Sequence, residues 1–285
     1  EVPSALERLQ GVVMELQDGA FPLLTEITAG SDPHTLFEGV DVALLIGAQP
    51  RHKGMERGDL LMANAALFKE QGRALNAVAG EGVQVVVLGN PCNTNTLIAL
   101  HHAPNIPPYH FHAVTQLDVH RAQWQVASHL KEPISALNNL FLWGNHSATQ
   151  VPDFFHATLY GKPLLSAFPN REWLEGPFLR EVQQRGAAII AKRGLSSAAS
   201  AAHALLTATR HLYEGEAPFS MGRLSDGNLQ GLPAGLVISL PLHRDAEGEI
   251  RPLDIPLDDP FLAQQVALSV DELIQEREAV RSFLT

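Results

Sequence analysis

Apolar positions recur with a helical period from the start of the chain: Leu6, Leu9, Val13 and Leu16 fall on one face of a helix over residues 4–17. Ser4, with Glu7 three positions on, predicts a capping box at its start. A short extended segment over residues 23–27 follows. Ser31-Asp-Pro-His-Thr then reads as a second helix start with Pro33 in its first turn. After that the period is lost. Asp41-Val-Ala-Leu-Leu-Ile-Gly47 and Val83-Gln-Val-Val-Val-Leu-Gly89 are continuous apolar runs closed by glycine, the pattern of parallel strands covered on both faces. Between them residues 59–78, with Leu60, Leu61, Ala65, Leu67 and Phe68, read as a helix, and a third strand is expected over 109–114. This succession predicts a parallel α/β sheet with right-handed crossovers.

Beyond residue 114 the pattern is mixed. Helices are expected over 121–130 and 178–192, a small-residue helical run over 196–207, and a final helix over 269–283. Extended pieces at 134–143 and 236–242 lie among them. The expected organisation is therefore a parallel-sheet domain over 1–113 followed by an α+β domain over 114–285.

Composition narrows the partners. The formal charge of −11 argues against nucleic acid and anionic membranes. No apolar run reaches the roughly 18 to 20 residues that span a bilayer. The single cysteine, Cys92, fits a reducing compartment, and the amino end lacks the pattern of a secretory signal, so the expected location is the cytoplasm. On this acidic background the loop after the first strand gathers Arg51, His52, Lys53 and Arg57. A solvated loop explains such a cluster. So does a clamp for a small anion, because open parallel sheets bind ligands beyond the carboxyl ends of their strands.

Other residues admit two readings each. Asp118 and Arg121 are three apart, which on a helix makes either a local ion pair at its amino end or a shared functional face. His146, in Trp143-Gly-Asn-His-Ser, is one of 13 histidines and follows an apolar strand. A carboxylate within reach would fix its tautomer and stabilise the imidazolium. The hydroxyls of Ser196-Ser-Ala-Ala-Ser200 suit close helix packing, or one of them faces a ligand. Cys92 has no local histidine signature. His101 and His102 are adjacent and diverge, so no metal site is expected.

Taken together, Gly11-Val-Val-Met-Glu-Leu-Gln-Asp18, Pro50-Arg-His-Lys-Gly-Met-Glu-Arg57, Gly89-Asn-Pro91 with Asn93-Thr-Asn95, Leu117-Asp118 with Arg121-Ala122, Trp143-Gly-Asn-His146-Ser and Gln184-Arg-Gly-Ala-Ala-Ile-Ile190 resemble the malate dehydrogenases. The likeness is to the cytosolic type within the lactate/malate dehydrogenase superfamily and runs over essentially the whole chain. It implies a Rossmann-like first domain, NAD as cofactor, a homodimer to which the face of residues 6–16 contributes, and interconversion of malate and oxaloacetate. It further implies that Arg51 binds the far carboxylate, Arg57 polarises the C2 oxygen, Arg121 holds the C1 carboxylate, and His146 transfers the proton with Asp118 orienting it. Asn90 would contact both substrate and cofactor, and Ser196 or Ser197 would add a hydroxyl. Glu1, Gly47, Asn64, Gln71 and Gly89 would line the cofactor side. Arg51 favours malate over lactate, since an unpaired guanidinium against a methyl group would cost about 3–5 kcal/mol.

The sequence departs from that pattern at Gln116, where relatives carry arginine, at His52-Lys53, and at its beginning. No glycine-rich phosphate-binding turn precedes the first helix. Glu1 aligns with the acidic residue that holds the adenosine ribose, so the Rossmann-like domain is expected to be incomplete at its amino end. Either this is part of a longer product, or it is a non-catalytic binding or scaffold relative without dinucleotide binding. A dehydrogenase of another 2-hydroxy acid is the remaining alternative.

Overall fold

The computed structural model describes residues 1–49, 57–215, 217–229 and 231–284, with residues 57–60 described by their backbone alone. Helix α1 (Leu6–Asp18) follows a 3-10 turn at Pro3–Ala5, and no side chain caps it. The Ser4 cap does not form. Proline opens the tighter turn instead, and main-chain bonds such as Ala5 N–H to the Val2 carbonyl occupy that end. No strand forms over 23–27 either. Helix α2 (Pro33–Leu36) is capped as its sequence predicts, the Asp32 carboxylate accepting from the His34 N–H at 3.1 Å and the Thr35 hydroxyl at 2.7 Å.

Strand β1 (Val42–Leu45), helix α3 (Arg57–Val78), strand β2 (Gln84–Val87), helix α4 (Cys92–His101) and strand β3 (Phe111–Ala113) build the parallel layer, with Ala43 opposite Val85 and Val86 opposite His112. Helix α4 has no apolar stripe to betray it. All of Cys92–Leu100 is buried, including Asn93, Thr94, Asn95 and Thr96, so neither face is left to be polar. It lies close against α3, where a Cβ on Gly72 would stand 2.4 Å from the Ala99 carbonyl oxygen.

Helix α5 (Gln116–Leu130) begins directly after β3, earlier than residue 121, and ends on Lys131 in the left-handed region. Strands β4 (Leu137–Asn138), β5 (Phe141–Trp143), β6 (Val151–Asp153), β7 (Thr158–Leu159) and β8 (Lys162–Pro163) form small antiparallel pairings. Helix α6 (Leu179–Arg193) ends on Gly194 with φ +71°, and helix α7 (Ala199–Tyr213) follows. Strands β9 (Phe219–Leu224), β10 (Val237–Arg244) and β11 (Ile250–Pro252) lead to helix α8 (Pro260–Ala279). This last helix starts well ahead of residue 269, because Asp259 caps it through the Phe261 and Leu262 N–H groups with Pro260 in its first turn.

The main sheet has the order β1-β2-β3-β9-β10-β11, parallel through β3 and antiparallel beyond it. The later strands therefore continue the first sheet. The joint is Ala113 opposite Gly222, where a Cβ would lie 2.7 Å from that of Ala113. One core lies among the sheet, α3 and α4, a second among the sheet, α7 and α8, and a third around α5 and α6.

Candidate active site

The carboxyl end of β3 delivers the first turn of α5, and the end of β5 delivers the turn Gly144-Asn-His146. The second turn is pinned in place. Gly144 has φ +88°, exchanges main-chain bonds with Ser239 at 3.0 and 2.8 Å, and packs so tightly that a Cβ would sit 2.2 Å from the Ser269 hydroxyl.

These two turns bring His146 Nδ1 onto Asp118 Oδ2, while Arg121 Nη1 donates to Asp118 Oδ1 at 3.0 Å. The Asp118 side chain is fully buried, that of Arg121 is 11% exposed and that of His146 18%. Burial works against the imidazolium, but the charge of Asp118 and its hydrogen bond outweigh burial and the opposing Arg121 cation, so the His146 pKa is raised. With Nδ1 committed to the carboxylate, Nε2 is the nitrogen left for chemistry. Arg121 Nη2 donates to Ser197 Oγ at 3.2 Å, and its buried Nε has no partner among the described residues. The hydroxyl brought to this site is thus that of Ser197. Ser196 is exposed and offers its main-chain carbonyl to Arg193 at 3.2 Å.

Around the carboxyl ends of β1 and β2, Asn64 acts as a strut. Its Oδ1 accepts from the Gln49 N–H at 2.7 Å and its Nδ2 donates to the Asn90 carbonyl at 3.2 Å, tying the two loop roots together. Gly89 is buried where a Cβ would stand 2.8 Å from the Phe68 ring, and Gly47 beside it has open space. Asn90 is exposed, and Gln71 holds a buried side-chain oxygen without a partner among the described residues. The amino group of Glu1 donates to the Gly30 carbonyl at 2.9 Å, and its carboxylate accepts from the Val2 N–H. Arg51 lies outside the described residues; Arg57 opens α3, and its side chain is likewise outside them.

The residues behind His146 carry no role that can be read from their sequence pattern. Asn93 Oδ1 accepts from the His146 N–H at 3.0 Å, and Asn93 Nδ2 donates to the Val237 carbonyl at 3.0 Å. Asn145, Thr94, Ser269, Glu272 and Glu276 extend this network. The available signal was the polar string Asn93-Thr-Asn-Thr96 directly after a buried strand. Burial pushes the Cys92 thiol far up, so it is no nucleophile. His101 and His102 bond separate carbonyls, and among the described residues no group of three or more side chains suited to a metal is found.

Two family models match the chain: lactate/malate dehydrogenase, NAD binding domain, over residues 2–112, and lactate/malate dehydrogenase, alpha/beta C-terminal domain, over residues 115–284. A malate dehydrogenase of Protochlamydia amoebophila (strain UWE25) is 48% identical over 287 residues, covering 100% of this chain and 87% of that protein. The crystal structure of malate dehydrogenase from Naegleria fowleri superposes with a TM-score of 0.92 at 40% identity, over 99% of this chain and 86% of that one. Trichomonas vaginalis lactate dehydrogenase, solved with NADH and oxamate, gives a TM-score of 0.93 at 32% identity over 99% of this chain and 88% of that one. By sequence, by fold and across both of its halves, the chain belongs to the lactate/malate dehydrogenase family.

Proposed function

We propose that the protein is a malate dehydrogenase, interconverting (S)-malate and oxaloacetate with a nicotinamide dinucleotide. The observation that carries this reading is the buried Asp118 with His146 on one oxygen and Arg121 on the other. A guanidinium has five N–H donors, and among the described residues Arg121 uses two, one on Asp118 and one on Ser197. A mostly buried cation with spare donors suits the two oxygens of a carboxylate, here C1 of the substrate. His146 then takes the C2 hydroxyl proton on Nε2 as malate is oxidised and returns it when oxaloacetate is reduced. Asp118 keeps Nδ1 protonated and stabilises the imidazolium. Arg51 on the C4 carboxylate and Arg57 on the C2 oxygen complete the clamp, on the strength of the sequence resemblance.

The bound dinucleotide supplies the hydride acceptor and donor for C2. The residues expected to hold it suit that role: Gly47 and Gly89 keep the strand ends free of side chains, and Gln71 has a buried side-chain oxygen with no partner among the described residues. Glu1, Gly47, Asn64, Gln71, Gly89 and Asn90 would hold it, within a cofactor part over 1–113 joined to a catalytic part over 114–285. The Glu1 carboxylate supports NAD over NADP, since it would repel a 2′-phosphate. The exposed apolar residues of α1, Val12, Met14 and Leu16, support a homodimer, and the lone buried Cys92 supports the cytoplasm.

Oxaloacetate-dependent oxidation of NADH, run beside pyruvate and NADPH, tests the reading. Oxaloacetate should exceed pyruvate by about 10²-fold or more in kcat/KM, the factor an unpaired buried charge implies. Pyruvate turnover at the higher rate would instead place the protein on the lactate side, and no turnover by folded protein would refute it.

A further inference from the structure

An acidic pair on α8 stands directly behind the His146 turn, and proton transfer itself does not account for it. Glu272 and Glu276, one helical turn apart, both accept from the Asn145 side-chain amide, at 3.0 and 3.2 Å. The second oxygen of Glu276, a residue only 7% exposed, accepts from the Thr94 hydroxyl of α4 at 2.5 Å. Glu272 also accepts from Thr149 at 2.7 Å and from Ser147. One turn earlier Ser269 accepts from the Asn145 main-chain N–H at 2.8 Å, and from the far side Asn93 holds the His146 N–H at 3.0 Å.

Burying carboxylates is costly, and an apolar helix face would dock α8 without that cost. What a carboxylate adds is direction, because each hydrogen bond fixes an angle as well as a distance. Here the fixed group is the amide of the residue immediately before His146. The network also joins the turn to α4, whose preceding loop carries Asn90.

We propose that Glu276, acting with Glu272, is a positioning residue for His146: by gripping Asn145 and tying the turn to Thr94 it holds the imidazole against Asp118. The ionisable groups around this turn are Asp118 and Arg121 on α5, Cys92 at the start of α4, and Glu272 and Glu276 on α8. The kinetic arm of the test rests on the malate dehydrogenase reading; the titration arm does not.

The test compares Glu276→Ala, Glu276→Gln and Thr94→Val with the parent in oxaloacetate kinetics and in the NMR titration of His146, its resonance assigned through His146→Gln. Loss of the grip should lower kcat about tenfold or more, as small misplacements of a reacting group do, with KM changed less than about threefold. The His146 titration should move to lower pH as the imidazole loosens from Asp118. Glu276→Gln can accept from Asn145 on its amide oxygen and replace the other bond by one of opposite direction, its NH2 donating to the Thr94 hydroxyl, and should recover most of the kcat and the titration. If Glu276→Ala does not fold, Thr94→Val carries the comparison, with a smaller change in the same direction. A folded Glu276→Ala or Thr94→Val with parental kcat and titration would overturn the proposal. So would a folded Glu276→Gln as impaired as the alanine variant. A parent without turnover would refute the malate dehydrogenase reading and leave the titration to decide the positioning role.

Discussion

At the scale of single residues, Asp118 decides the behaviour of the site. Its two oxygens serve different partners, and it alone offsets the burial that would otherwise keep His146 neutral. Oxaloacetate reduction needs the imidazolium, so its rate should hold at low pH and fall as pH rises through the raised His146 value. Malate oxidation needs the neutral ring and should rise over the same range. Asp118→Asn leaves burial unopposed; both limbs should move to lower pH and kcat should drop by about 10²- to 10⁴-fold, read from pH–rate profiles in both directions. Arg121→Lys keeps the charge but cannot reach Asp118, Ser197 and a carboxylate together, and kcat/KM for oxaloacetate should fall by about 10²-fold. Asp118, Arg121 and His146 could be singled out through the family resemblance, and a spacing of three on a helix does put Asp118 and Arg121 together; that Asp118 reaches His146 could not be read from spacing. The choice of Ser197 over Ser196 was not legible either, since it depends on how the chain enters α7. Nor was the role of Glu276, which in sequence is one more charge on an amphipathic helix.

At the scale of elements, two glycines carry much of the architecture. Gly144→Ala would combine an unfavourable φ of +88° with a Cβ 2.2 Å from the Ser269 hydroxyl. It should destabilise the fold by about 2–4 kcal/mol in urea unfolding and also impair turnover, because the displaced turn carries His146. Gly72→Ala would push α3 from α4 through the Ala99 carbonyl at 2.4 Å, and should cost about 1–3 kcal/mol in the same measurement. Strands β2 and β3 were legible because both of their faces are covered; β1 reads the same way in sequence, yet only one of its faces is covered, with Leu44 and Ile46 exposed on the other. Helix α4 was not legible, since its buried polar side chains bond other segments and erase any stripe. The true start of α8 was encoded in Asp259-Pro260, the same signal that marks α2 at Asp32-Pro33; the apolar stripe farther along obscured it.

At the scale of the whole molecule, the sheet does not stop where the sequence changes character. β9 joins β3 edge to edge, so the β3–α5 corner carrying Asp118 and the β5 turn carrying His146 are braced against one continuous sheet, the latter through Ser239 of β10. That long-range pairing of Ala113 with Gly222 leaves no local trace in composition. The apolar side of α1 stands outside the three cores, with Leu16 41% exposed. Sedimentation should show a dimer, and Leu16→Glu should shift it toward monomer; a parent that sediments as monomer at every concentration would remove the homodimer from the account.

In the proposed reaction His146 carries the proton for hydride exchange at C2 of a four-carbon dicarboxylate. The most direct measurement is single-turnover oxidation of NADH by oxaloacetate in the parent and in His146→Gln, with NADH affinity followed separately. The variant should lose about 10²-fold or more in rate at unchanged NADH affinity. A variant that turns over within twofold of the parent would contradict it.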